Sequence, residues 1–120
     1  MLNKVVIEGN LVADPETRTV GDNTVTTFRL ASTRVFRGHN KERKTRSTFI
    51  DCTAWNGTGQ SLSKSFHKGD AITLEGRIEY DEWETEGRKH SRVYIDIMEF
   101  HFPRGHRPRG ETTEEAVAVG

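Results

Sequence analysis

Apolar and polar side chains alternate with a period of two along most of this chain, and that pattern admits strands and little else. Successive side chains of an extended strand point to opposite faces. In residues 3–12, NKVVIEGNLV, Val5, Ile7 and Leu11 share one face while Lys4, Glu8 and Asn10 share the other. Residues 47–55, STFIDCTAW, set Ile50, Cys52 and Ala54 against Phe49, Asp51, Thr53 and Trp55. Residues 71–83, AITLEGRIEYDEW, set Ile72, Leu74, Ile78 and Tyr80 against Thr73, Glu75, Arg77, Glu79, Asp81 and Trp83. Between the first two of these, 17–33 reads as a hairpin turning at Gly21-Asp22-Asn23, with Phe28 and Leu30 on one face of its second arm. Glu86-Gly87 is a further turn signal, after which 92–102 returns as the last strand.

One segment departs from the alternation. In 58–69, TGQSLSKSFHKG, Leu62 and Phe66 stand four residues apart and Lys68-Gly69 supplies a stop signal, which predicts one short helix. Gly59 and the serines leave it intrinsically weak. The basic stretch 37–46 has no period and reads as a loop. The order is then three strands, a helix and two strands: an all-β chain with one short helix, expected to form an OB-fold, a five-stranded Greek-key barrel. The ordered domain is expected over 1–102. Residues 103–120 hold two of the three prolines and no amphipathic period, which predicts a flexible tail.

Composition narrows the function classes. With 32% hydrophobic and 30% charged residues, a chain of 120 residues can build one lean core. No run approaches the length of apolar sequence that a membrane span needs. Lys4 is followed by only three apolar residues before Glu8, unlike a signal peptide. A single cysteine, Cys52, excludes an internal disulfide framework and a cysteine-built zinc site, and suits a reducing cytoplasm. His39, His67, His90, His101 and His106 are scattered without metal-ligand spacing, and no GxSxG, P-loop or HExxH motif occurs. Neither an enzyme, a metal nor a cofactor is expected.

Net charge is zero, 18 basic residues against 18 acidic, yet the distribution is uneven. Arg34 to Arg46 carries six Lys/Arg against one Glu, whereas Glu75 to Glu86 carries six acids against one Arg. Phe36 lies within the basic stretch, flanked by Arg34 and Arg37. Phe49, Trp55 and Trp83 stand on the polar faces of their strands. Rings exposed beside cations suit single-stranded nucleic acid, because every base has a π-face on which a ring can stack.

Several segments resemble the bacterial single-stranded DNA-binding proteins. NKVVIEGNLVADPETR is similar to that family's opening strand and first turn, and TTFRLAST, KGDAITLEGRIEYDEW and SRVYIDIMEF follow in the family's order and spacing, so that the resemblance covers residues 1 to about 100. It implies non-specific coating of single-stranded DNA in replication, recombination and repair, a homotetramer, and stacking of bases on Phe36, Phe49, Trp55 and Trp83. Phosphate contacts are expected from Lys4, Arg18, Arg29, Arg37, Lys41, Arg43, Lys44 and Lys68. The chain departs from the family at Asp51, Glu79, Asp81 and Glu82, where basic residues are common. These acids predict weaker, less salt-sensitive binding or a strand path displaced toward 37–46. The tail carries TTEEAVAVG without the family's aspartate cluster or terminal Phe, which argues against recruitment of replication and repair proteins. An RNA-binding OB module and a primosome-type protein-interaction component are the alternatives; a protein-only interface would not need four spaced stacking platforms.

Overall fold

A computed structural model describes residues 1–103 of the chain. Its strands are β1 (Val5–Leu11), β2 (Glu16–Val20), β3 (Asn23–Arg37) and β4 (Arg43–Trp55), followed by helix α1 (Asn56–Ser65), β5 (Ala71–Thr85) and β6 (Arg88–His101). The sheet runs β1-β5-β6-β4-β3-β2, and β1 also pairs with β3, so five strands close into a barrel. β2 lies along the same edge of β3 that β1 uses: β2 pairs with residues 23–27 and β1 with Leu30 and Ala31. The two are one long strand interrupted by the Asp14-Pro15 turn. The parallel β4–β6 pairing, Asp51 opposite Tyr94 and Cys52 opposite Ile95, completes the OB-fold.

The alternation read from the sequence sends Leu11, Phe28, Leu30, Cys52, Ala54, Ile72, Leu74, Ile95 and Ile97 into the barrel. Leu62 and Phe66 plug its open end. The helix starts two residues earlier than its sequence pattern predicts and ends at Ser65. It stops because Phe66 turns to an extended backbone, φ −124° and ψ 140°, which points its ring at Phe100 and Phe102, with centroids 5.6 and 4.8 Å away. Lys68-Gly69 belongs to the turn that follows. Cys52 is fully enclosed, and burial pushes its thiol up to about 12, so it stays protonated and unreactive.

Two further departures have physical reasons. The stretch expected as a loop, 37–46, is mostly strand: β3 and β4 pair without interruption from Val25↔Trp55 to Arg37↔Arg43, leaving only residues 38–42 as the tip. Beyond the barrel both faces of this ribbon are wet, so no hydrophobic period marks it, and the backbone ladder alone holds it. In β6, Gly76 pairs with Ile97 and Glu75 with Glu99, which leaves Met98 as a bulge. The bulge resets the phase, so Ile97 and Phe100 both turn inward. Residues 92–102 carry apolar side chains on both faces, and part of them is core: Phe100 packs on the barrel interior and Phe102 on Phe66. Of the expected tail, only Pro103 is among the described residues.

Gly9 sits where β1 changes partners, opposite Ile72 of β5 and beside Ala31 of β3. A Cβ there would lie 2.4 Å from the Ala31 carbonyl oxygen. Gly9→Ala is therefore expected to destabilise the fold by about 1–3 kcal/mol, the usual cost of overpacking. A lowered denaturant midpoint with an unchanged m-value checks this.

Candidate nucleic-acid interface

Strand parity sorts the aromatics. Phe49 faces the same way as Asp51, Thr53 and Trp55, outward from β4. In β6 the outward set is Arg92, Tyr94 and Asp96, and in β5 it is Arg77, Glu79, Asp81 and Trp83, as the pairings Asp51↔Tyr94 and Glu79↔Tyr94 require. Phe49, Trp55 and Trp83 thus share the outer face of one β4-β6-β5 surface, and each is exposed by 42% or more. Tyr94, which sequence reasoning missed, lies half-buried between them. Phe36 is elsewhere. Its partner is Lys44, and the unbroken register places both on the ribbon face that continues from Leu30 and Ile50, opposite to Phe49.

The cations divide similarly. Arg29 sits over the Phe49 ring at 5.9 Å and pairs with Asp51 at 3.7 Å, so the unexpected acid on this face is held by a base. Arg34 covers Phe36 at 5.3 Å. Arg37 and Arg43 are opposite each other near the ribbon tip, with Lys41 in the tip itself and Lys44 one residue along. Arg18 is exposed on β2. Lys68 is exposed in the turn after α1, where its backbone N–H donates to Asp14 Oδ1 at 2.7 Å. Lys4 stands apart: it forms a 2.6 Å ion pair with Glu75, which raises the lysine pKa and lowers that of the glutamate. Its neighbours belong to β5 and β6, not to the β3–β4 ribbon.

The acidic run of β5 looks different once folded. Asp81 is opposite Arg92 and Glu84 opposite Lys89, so the β6 arm supplies the positive charge that β5 lacks. Trp83 is opposite His90, and their rings stack at 5.5 Å with 20° between planes. The Arg92 guanidinium lies 4.5 Å above the Tyr94 ring. Burial first, then Asp81 and Glu79, pushes the Tyr94 phenol up against the pull of Arg92, so it remains a neutral ring. Arg92, His90 and Tyr94 escaped the sequence reading because their partners lie across the hairpin; only the period-two face of 92–102 could have marked Arg92 and Tyr94.

The β3–β4 ribbon has the opposite character. Arg34 faces Arg46 and Arg37 faces Arg43. Like charges directly opposite each other destabilise a strand pair, and here they recur without a carboxylate to relieve them. Among the described residues no group of three His, Cys, Asp or Glu side chains could hold a metal ion. Outward rings beside a self-repelling basic arm form a surface for a polyanion whose bases are unpaired.

Residues 2–103 match the model of the single-strand binding protein family. The chain belongs to that family. It is 34% identical over 123 residues to a single-stranded DNA-binding protein of Aquifex aeolicus, covering 99% of this chain and 84% of that one. It is 33% identical to single-stranded DNA-binding protein 1 of Lactococcus lactis, covering 98% and 79%. A deletion mutant of the single-stranded DNA binding protein from Thermus aquaticus superposes with a TM-score of 0.74 at 27% identity, over 88% of this chain and 53% of that one. The Plasmodium falciparum SSB, solved in complex with ssDNA, gives 0.74 at 21% identity over 85% and 95%, and shares the fold. On this chain's outer face Asp51 is paired with Arg29, and Asp81 stands opposite Arg92 in the strand register.

Relief of one like-charge contact should be measurable. Arg46→Glu places a carboxylate opposite Arg34 and is expected to raise Tm by about 1–3 °C at low salt. The gain should shrink in thermal melts at high salt, where exposed charges are screened.

Proposed function

We propose that this protein binds and coats single-stranded DNA without strong dependence on sequence. The observation that carries the reading is the convergence of Phe49, Trp55 and Trp83 on one outer sheet face beside a ribbon whose cross-strand cation pairs repel each other. Stacking supplies roughly 1–3 kcal/mol per base and the cations neutralise phosphates. Phe36, on the other face of the ribbon, extends the track around its edge. Arg29, Arg37, Lys41, Arg43 and Lys44 are the phosphate contacts of the ribbon, with Arg18 and Lys68 flanking the β2 side and Lys4 contributing least because Glu75 holds it. The role is one of binding rather than catalysis, in replication, recombination and repair, and a bacterial cytoplasmic location on nucleoid DNA goes with it. The domain responsible is 1–102, followed by a tail over 103–120.

Trp55 and Trp83 are the only tryptophans, and both face the proposed track. Titration with a thymine oligonucleotide is expected to quench their fluorescence to a saturating value. Trp83→Ala should weaken binding by about five- to a hundredfold, the equivalent of one lost stack. Absence of quenching at low salt would overturn the reading.

The same reading includes a homotetramer. Two features support it: residues 5–8 of β1 pair only with β5, leaving their other edge open, and Met1, Leu2, Val6 and Met98 are exposed apolar side chains near that edge. Light scattering behind size exclusion is expected to give four times the chain mass; a monomer mass excludes the assembly.

A further inference from the structure

Between the Phe49 and Trp55 platforms the outer face of the sheet is indented by a cavity of about 230 Å³. Its walls come from four strands and the first turn: Asp14, Glu16 of β2, Thr27 of β3, Asp51 and Thr53 of β4, and Arg92 of β6. Three carboxylates and one guanidinium make it a poor seat for phosphate, which the basic ribbon serves better.

The polar groups in this cavity are not equally committed. Asp14 accepts the Lys68 backbone N–H, and Asp51 is paired with Arg29. The Glu16 carboxylate has no hydrogen bond or ion pair among the described residues, and the Arg92 guanidinium, stacked on the Tyr94 ring, has none either. Thr53 is 3% exposed, and its hydroxyl has no hydrogen-bond partner. A buried hydroxyl without a partner costs stability, so the floor beneath this cavity is itself polar and unsatisfied. A free acceptor and a free donor therefore line one indentation on the proposed track, above an unpaired hydroxyl in its floor.

We propose that this cavity receives the edge of a guanine and gives the protein a preference for that base within otherwise unselective binding. The inference rests on the single-stranded DNA reading above. Guanine alone presents two adjacent donors, N1–H and the N2 amino group, that match both oxygens of one carboxylate, and it presents O6 and N7 as paired acceptors for a guanidinium fork. Glu16 takes the donors and Arg92 the acceptors. Thymine offers a single donor between two acceptors, so it leaves one Glu16 oxygen without a partner. Adenine and cytosine each offer one exocyclic amino group beside an acceptor that a carboxylate repels.

The test compares three oligonucleotides of equal length by competition at one salt concentration: all thymine, thymine with isolated guanines every fifth position, and the same with inosine, which lacks the N2 amino group. The isolated spacing prevents guanine from self-associating. The guanine oligonucleotide is expected to bind about tenfold tighter than the all-thymine one, and inosine to lose most of that gain. Glu16→Gln, at an exposed strand position, and Arg92→Gln should each erase the difference between the guanine and thymine oligonucleotides, with circular dichroism checking the fold. Equal affinity for guanine and thymine in the unaltered protein overturns the guanine site while the single-strand reading stands. A preference that survives in inosine, or in both variants, also overturns it. Binding of none of the three overturns the single-strand reading itself.

Discussion

Everything in this molecule depends on β1 bonding to two strands at once. Along Val5–Asn10 it pairs with β5, and at Asn10 and Leu11 it crosses to β3. That handover closes the ring, and a closed ring has one inside and one outside for every strand. It is possible only because Gly9 lets the backbones approach to a distance no side chain would permit. Once the inside is defined, eleven buried side chains form the core, and whatever alternates with them is committed to the surface. The outward aromatics are therefore not failures of burial. They occupy positions that the barrel cannot bury.

Closure also explains why the two hairpins are free to diverge in chemistry. β3–β4 and β5–β6 both run beyond the barrel, so their outer segments answer to no core. The β5–β6 arm uses opposite charges across the pair, Asp81 with Arg92 and Glu84 with Lys89, and a two-residue turn with positive φ at both Glu86 and Gly87. That turn geometry matches the twist of the strands and stabilises the arm locally. The β3–β4 arm does the reverse, setting Arg34 opposite Arg46 and Arg37 opposite Arg43. An arm that repels itself gains most from an anion laid along it.

The barrel was legible in the sequence because period-two alternation is a local signal: Ile50, Cys52 and Ala54 lie on one side whatever their partners are. The outward positions of Phe49, Trp55 and Trp83 follow from the same parity. What escaped is everything set across strands. The 37–46 segment looked like a loop because exposure on both faces removes the hydrophobic period while the backbone ladder persists. The Met98 bulge leaves no local mark, so Phe100 appears on the wrong face until its pairing with Leu74 is known. Phe36 has a ring and neighbouring cations in sequence, but its face depends on a register running back twelve pairs to Trp55.

Charge shows most clearly how local reading and folded structure differ. A neutral composition argues against a polyanion partner, and six acids in 75–86 argue against it at Trp83. Pairing changes the balance at each site. Asp51 is bound to Arg29, which in turn covers Phe49, so the acid fixes a cation over a stacking ring. Asp81 faces Arg92, and Arg92 covers Tyr94. At Asp51 a carboxylate that would repel phosphate in isolation orients a guanidinium beside an aromatic, while Asp81 turns to the Tyr94 hydroxyl. Arg holds such a geometry better than Lys, since its planar fork can stack and donate at once. Asp51 thereby acts as a positioning group for a cation, and a chain with no net charge can still present a directed positive track.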